Sequence, residues 1–188
     1  MKNRFSVFKT VKHTEPLITV GIKDFIDVIK SNEHKTLVES IRSAPDKDTR
    51  SALKATLPAA TISGMFSKRS VSNLVEHSGF IVADLDLSEN PVIEEVGQLQ
   101  NVKKKLTSDD RVAFLFESPS GGLKVGFKVI ANDTATHRAA FFSIRDLLLE
   151  DYSLISDEAC KDVSRLCFLS HDPAAYYNAK SKVIKTEA

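Results

Sequence analysis

The chain has 188 residues, of which 42% are hydrophobic and 27% are charged, and its formal net charge at pH 7 is +1. This length and composition allow one substantial hydrophobic core, so a single globular domain is expected and a disordered protein is excluded. The balanced charge excludes a globally basic surface, so any site for a polyanion must be a local patch.

The sequence predicts a cytoplasmic protein with no membrane partner. No apolar run approaches the roughly 18 residues of a membrane span. Charges interrupt the apolar positions at the N-terminus, which is unlike a secretory signal peptide. Cys160 and Cys167 have no metal-binding spacing, so we expect both thiols to be reduced and structural.

The first part of the chain, residues 1–75, is predicted to be an α-rich extension packed on the core. Apolar periodicity and turn residues give its elements. They are a strand at 4–11, helices at 23–30 and 35–42, a short helix at 48–55, and a loop or short hairpin at 57–70. Asp48 is the predicted N-cap of the short helix, and Lys68 with Arg69 forms a basic pair in the loop.

Residues 76–188 are predicted to form the core, and the two parts together one structural domain. The predicted elements are a strand at 80–87, a helix at 91–106 with Val96 in its apolar stripe, a two-stranded hairpin within 112–130, a helix at 134–149 and a last strand at 165–170. This order is a βαββαβ arrangement, in which an antiparallel sheet carries helices on one face. The predicted fold class is therefore α+β.

Two aspartates interrupt the apolar strand FIVADLDL. Because strand side chains alternate between faces, Asp84 and Asp86 are expected to point the same way. Two close carboxylates destabilise each other's charged form, and a divalent metal relieves this repulsion. The alternative is that the strand simply ends in a solvated turn.

Two further segments carry candidate phosphate-binding groups. The hairpin tip SPSGGLK, residues 118–124, combines hydroxyls, two glycines and Lys124, which suits a phosphate. Asp162 and Arg165 precede the last predicted strand. A plain hairpin turn and a surface salt bridge are the alternatives for these segments.

Four ordered segments resemble the VirE N-terminal domain family of Bacteroidetes mobile-element proteins. The segments are LKATLPAATISGMF, HSGFIVADLD, ESPSGGLKVGFKV and DVSRLCFLSHDP. That family is similar to the prim-pol catalytic domains of the archaeo-eukaryotic primase superfamily. The resemblance implies an RRM-like βαββαβ core.

The resemblance also implies a site and an activity. Asp84, Asp86 and Asp162 would be the catalytic carboxylates and would bind Mg²⁺ or Mn²⁺. The nucleotide-binding residues would be Ser118, Ser120, Gly121, Gly122, Lys124 and Arg165. The implied activity is metal-dependent nucleotidyl transfer in replication of a mobile element or phage. The implied partners are a nucleoside triphosphate, a single-stranded DNA or RNA template, and a helicase-like region or protein.

One residue departs from the prim-pol pattern. This chain has Lys124 where prim-pol enzymes usually have a histidine, and a lysine binds phosphate but exchanges protons differently. A second hypothesis is therefore an inactive prim-pol relative that binds nucleotide or single-stranded nucleic acid and recruits a helicase. A third is a metal-dependent nuclease that uses the same carboxylates.

Overall fold

A computed structural model describes residues 3–95 and 97–185 of the chain. Within these residues it contains eleven strands and six helices. The strands are β1 (Arg4–Phe8), β2 (Ile18–Gly21), β3 (Ala59–Thr61), β4 (Gly64–Phe66), β5 (Leu74–His77), β6 (Phe80–Leu85), β7 (Val112–Glu117), β8 (Leu123–Val129), β9 (Cys167–Phe168), β10 (Tyr176–Tyr177) and β11 (Val183–Ile184). The helices are α1 (Ile22–Lys30), α2 (Lys35–Arg42), α3 (Lys47–Lys54), α4 (Pro91–Glu94), α5 (Gln98–Thr107) and α6 (Thr134–Tyr152).

The central sheet is built around β8, which pairs antiparallel with β6 on one side and with β7 on the other. β10 extends the sheet beyond β7, and β11 pairs in parallel with the end of β8. The predicted α+β class is confirmed.

The predicted last strand does not complete this sheet. It is reduced to β9, which pairs antiparallel with β3 in a second sheet of order β2-β1-β3-β9. Beside β6 lies instead the segment that follows α6, where the Asp157 backbone N–H donates to the Asp84 carbonyl at 2.8 Å. The expected four-stranded βαββαβ sheet is therefore not formed by the predicted strands.

Helices α5 and α6 cover one face of the central sheet. Alternate residues of β6, β7 and β8 point toward these helices and form one hydrophobic core with them. The shared core includes Ile81, Ala83, Leu85, Leu115, Val125, Phe127, Leu106, Phe141, Ile144 and Leu148. Every residue in this set is essentially inaccessible to solvent.

The opposite face of the central sheet packs against the second sheet and α1. Phe80, Phe114 and Phe116 meet residues of β1, β3 and α1 in a separate hydrophobic core. The N-terminal part thus contributes strands as well as helices, and it shares its sheet with β9. This packing leaves a cleft on the face of the central sheet opposite α5 and α6. The cleft lies where β6 ends and β8 begins.

Several element boundaries differ from the predictions for local reasons. The expected helix at 91–106 is divided into α4 and α5, and Gly97 between them has a φ of +79° that an α-helix does not allow. The predicted stripe residue Val96 lies outside the described residues. In α3 the N-cap is Asp46, whose carboxylate accepts from the Thr49 N–H at 2.7 Å, and Asp48 lies in the first turn.

The segment expected to be a loop or hairpin at 57–70 contains two short strands that belong to different sheets. β3 joins the second sheet, whereas β4 pairs with β5. In the described part of the chain, every helix is too short or too polar to span a membrane.

Candidate functional site

A buried ion pair lies at the centre of the candidate site. Asp84 on β6 is directly opposite Lys124 on β8 in the antiparallel register, so the two side chains share one face of the sheet. Lys124 Nζ contacts Asp84 Oδ2, and each residue is only 7% exposed. Burial by itself would lower the pKa of Lys124, but the Asp84 carboxylate outweighs burial and raises it.

This ion pair lies at the wall of an open cavity of about 370 Å³. Charged and polar side chains dominate its lining. They are Lys54, Arg69, Asp84, Asp86, Lys124, Asp162, Ser164 and Arg165. The structure therefore brings carboxylates and cations from β6, β8, α3 and the segment before β9 to one place.

Asp86 reaches the cavity from the turn after β6. Asn90 holds this turn, because its side-chain amide donates to the Asp86 carbonyl at 3.0 Å and to the Ile155 carbonyl at 2.8 Å. Its side-chain oxygen accepts from the Ile155 N–H at 2.8 Å. The buried Asn90 thus fixes both the Asp86 turn and the segment that carries Asp157.

The surroundings of Asp86 and Lys54 disfavour the charged form of each side chain. Burial, followed by repulsion from Asp84, raises the pKa of Asp86 above its ordinary value. Burial and the nearby Lys124 lower the pKa of Lys54. Ionised groups are thus held in places where their charge is disfavoured, which is typical of sites that bind charged ligands.

The SPSGG hairpin lies beside the cavity, but its backbone is partly engaged in the turn. The Gly121 N–H donates to the Ser118 carbonyl at 3.0 Å, and the Ser118 N–H donates to the Gly122 carbonyl at 2.7 Å. At Gly122 a Cβ would lie 2.5 Å from the Leu85 carbonyl oxygen, so the close approach to β6 requires glycine. Ser120 Oγ accepts a hydrogen bond from Lys54 Nζ at 3.2 Å.

Asp162 and Arg165 line the same cavity, and both are exposed. Asp162 accepts from the Ser164 N–H and hydroxyl, both at 2.8 Å. Arg165 donates to Asp157 Oδ2 at 2.8 Å. The predicted trio Asp84, Asp86 and Asp162 does not form a group within common ligating distance.

Another trio does meet that distance. Among the described residues, the acidic, histidine and cysteine side chains form a single such group, in which ligand atoms of Asp84, Asp157 and Cys160 lie within 4.8 Å of one another. Burial raises the pKa of Cys160 to about 12, so its thiol is protonated at neutral pH. Cys167 is likewise buried, with a pKa raised to about 11.

A second, larger groove of about 600 Å³ adjoins the cavity along α3. Lys54 and Asp86 belong to both linings, and Lys47 and Arg50 add two cations from the same helix. Ser88 and Ser120 supply hydroxyls on the other side. This basic groove extends the candidate site along α3.

Sequence analysis did not identify Lys54, Asp157 or Cys160 as candidate site residues. Their positions depend on the docking of α3 and of the segment after α6, which no local pattern encodes. Lys54 lies in LKATLPAATISGMF, one of the four segments that carry the family resemblance, but no role was predicted for it. Of the predicted basic pair in the loop, Arg69 lines the cavity, and Lys68 is exposed and is not among its lining residues.

The first prediction concerns the buried ion pair. Lys124→Met leaves the Asp84 carboxylate buried without a counter-charge, so we expect the free energy of unfolding to fall by roughly 3–5 kcal/mol. The double variant Asp84→Asn/Lys124→Met removes both charges and should recover most of this loss. Urea unfolding of the three proteins measures the difference, and equal destabilisation of single and double variants would contradict the pair.

The second prediction concerns Asp86. Its raised pKa means that the folded protein holds the proton more tightly than the unfolded chain does, so ionisation at neutral pH costs stability. We therefore expect Asp86→Asn to raise the free energy of unfolding at pH 7. The gain should shrink as the pH falls toward the ordinary value of 3.8.

Asp162→Asn is the matched control for this measurement, because Asp162 is an exposed carboxylate at the same cavity. It should give no stabilisation. A destabilised Asp86→Asn protein at pH 7 would show that the carboxylate has a structural role instead.

Comparison with known proteins gives one match. Neither a search of curated proteins nor a search of solved structures returns a significant similarity. A family model described as "BT4734-like, N-terminal domain" matches residues 52–177, about two thirds of the chain. The matched range contains all four segments on which the resemblance was based and most of the residues that line the cavity. The chain therefore belongs to the BT4734-like N-terminal domain family.

Proposed function

We propose that the chain is a primase-polymerase-like domain that carries out metal-dependent nucleotidyl transfer. The observation that carries this proposal is the cavity in which Asp84 and Asp86 lie together with Lys54, Lys124 and Arg165. This chemistry requires carboxylates that hold a divalent ion and nearby cations that hold the phosphates. The resemblance to prim-pol domains with an RRM-like core points in the same direction.

The residues present fit a divalent ion. Within the described residues, Asp84 Oδ1 is buried and has no hydrogen-bond partner, so one carboxylate oxygen is available while Oδ2 contacts Lys124. Asp86 supplies a second carboxylate on the cavity side. Mg²⁺ or Mn²⁺, when bound, would lower the pKa of a primer 3′-hydroxyl and neutralise phosphate charge.

The side chains of the chain itself would position the nucleotide. Lys54 and Arg165 line the cavity from two different parts of the fold, α3 and the segment before β9, and both can contact the triphosphate. Lys124 is buried and pairs with the Asp84 carboxylate at the wall of the cavity. Ser120 is held at the rim by Lys54, where its hydroxyl faces the basic groove.

The substrates in this proposal are a nucleoside triphosphate and a single-stranded DNA or RNA template. The groove along α3 has a volume of about 600 Å³, and its cations Lys47, Arg50 and Lys54 suit a phosphate backbone. Replication of a mobile element or phage, together with a helicase-like partner, follows from the resemblance alone.

A second candidate function is favoured by the ion pair itself. Lys124 already neutralises Asp84, and this contact occupies one oxygen that a catalytic ion would use. An inactive relative would keep such a pair and bind nucleotide or single-stranded nucleic acid without incorporating it. Its function would then be to recruit a helicase.

The third prediction tests the proposed activity. Labelled dNTP or NTP is incubated with the protein on single-stranded and primed templates, with Mg²⁺ or Mn²⁺. We expect incorporation that depends on the metal and is lost in Asp86→Asn, because this variant removes a carboxylate from the cavity without removing the counter-charge of Lys124.

Asp110→Asn is the matched control, since Asp110 is an exposed carboxylate whose ion pair with Lys182 lies outside the residues that line the cavity. Its incorporation should equal that of the wild type. Binding of nucleotide without any incorporation by folded wild-type protein would favour the inactive relative, and degradation of the template would favour a nuclease.

The fourth prediction tests the basic groove. Lys47→Glu/Arg50→Glu should weaken binding of a single-stranded oligonucleotide, because two phosphate contacts are lost. The slope of log affinity against log salt should fall in magnitude by about 0.7 for each contact. Fluorescence anisotropy at several salt concentrations measures both quantities.

Lys104→Glu/Lys105→Glu is the matched control, because it changes the net charge equally on α5, which covers the other face of the central sheet. Its affinity should change much less than that of the groove variant. Equal losses in the two double variants would indicate only a general effect of net charge.

A further inference from the structure

Beyond the proposed activity, we infer that an apolar crevice between the second sheet and α1 is a docking site for a segment of a partner protein. That segment inserts one large apolar side chain flanked by lysine or arginine. The crevice has a volume of about 190 Å³. Among the described residues, it shares no lining residue with the cavity or with the basic groove. The inference therefore does not rest on nucleotidyl transfer.

The base of the crevice is apolar. Most of the lining side chains are apolar, and they are Val7, Leu17, Ile18, Val20, Phe25, Val28, Pro58 and Leu169. Val7, Phe25 and Leu169 are buried and belong to the hydrophobic core that the second sheet shares with the central sheet. An apolar side chain that enters the crevice would therefore extend an existing core and lose contact with water.

Apolar residues also remain exposed at the opening. Leu17 is 62% exposed and Ile18 is 53% exposed. Ile18 and Val20 lie on one face of β2, the first strand in the sheet order β2-β1-β3-β9, and both line the crevice. Exposed apolar residues that adjoin an apolar opening are typical of a contact surface. The Arg4 guanidinium donates to the Thr19 carbonyl of β2 at 3.1 Å, so the inference rests on side-chain insertion and not on strand pairing.

Two carboxylates give the opening a negative charge. Asp24 on α1 and Glu33 before α2 both line the crevice and are exposed. Among the described residues of the lining there is no lysine or arginine. His34 also lines the crevice, and burial lowers its pKa, so its imidazole is neutral near pH 7 and adds no positive charge. A cationic group beside the apolar anchor would complement this charge.

Volume and charge together select the occupant. Pockets for free small molecules usually have volumes of about 300–1,000 Å³, so the 190 Å³ of this crevice suits a single side chain better. A fatty acid or another apolar carboxylate would be repelled by Asp24 and Glu33. A second copy bound through the same surface in a two-fold dimer would bring the same carboxylates of both copies together. A basic segment of another protein suits both the apolar base and the negative opening.

NMR spectroscopy of the isotope-labelled full chain tests the inference with three blocked pentapeptides as probes. Their sequences are Thr-Lys-Phe-Lys-Thr, Thr-Lys-Ala-Lys-Thr and Thr-Glu-Phe-Glu-Thr. We expect the first peptide to shift the amide signals of residues 17–21 and of Val28. Alanine in place of phenylalanine should weaken binding by about tenfold or more, because apolar burial is lost. Glutamate in place of lysine should weaken it by about fivefold or more, because attraction becomes repulsion.

Asp24→Asn/Glu33→Gln tests the contribution of charge. Because both carboxylates are exposed, the fold should be retained, and the preference for the lysine peptide over the glutamate peptide should decrease toward one. Asp48→Asn/Glu150→Gln is the matched control, since it removes two exposed carboxylates that do not line the crevice. It should keep the preference of the wild type.

Leu17→Ser tests the apolar part of the surface and should weaken binding of Thr-Lys-Phe-Lys-Thr. Ile130→Ser is its matched control, because Ile130 is 64% exposed and does not line the crevice. Circular dichroism checks that each variant is folded.

Three results would overturn the inference. The first is that the amide signals of residues 17–21 do not move at millimolar peptide, or that the three peptides bind equally. The second is that phenethylamine, an apolar amine without a peptide backbone, binds as tightly as Thr-Lys-Phe-Lys-Thr, which would assign the crevice to a free small molecule. The third is that dilution of the wild type alone moves these signals and Leu17→Ser abolishes the effect, which would assign the crevice to a second copy of the chain.

Discussion

Asp84 and Lys124 face each other across β6 and β8 at the buried end of the cavity, and the other parts of the site are arranged around this charge pair. A buried carboxylate without a counter-charge would be strongly destabilising, and so would a buried ammonium group. The antiparallel register that aligns the two strands is therefore also the register that pairs the charges. Any ligand that binds Asp84 therefore binds a carboxylate that is already paired with the ammonium group of Lys124.

The second sheet turns this pair into a site. It packs with α1 against the face of the central sheet opposite α5 and α6, so that face is covered along most of its length. Near the end of β6 the covering stops and the cavity opens. Helix α3 and the segment before β9 form its rim and place Lys54 and Arg165 around the two aspartates.

The distribution of charge distinguishes an inner from an outer part of the site. The inner part holds Asp84, Lys124 and Cys160, and all three are buried. The outer part holds Asp86, Lys54 and the cations of α3, which are accessible to a phosphorylated ligand.

The sequence by itself determined the elements whose signals are local. Alternation in FIVADLDL placed both aspartates at the end of a strand, and the SPSGG turn placed Lys124 on the partner strand, because a hairpin and its flanking strands follow from near neighbours. Only the tertiary structure decided that β9 joins the second sheet, that Lys54 lines the cavity with Asp84, and that Asp157 and Cys160 lie close to Asp84. These contacts join segments far apart in the chain, and they depend on how whole elements pack, a property that no short pattern of residues contains.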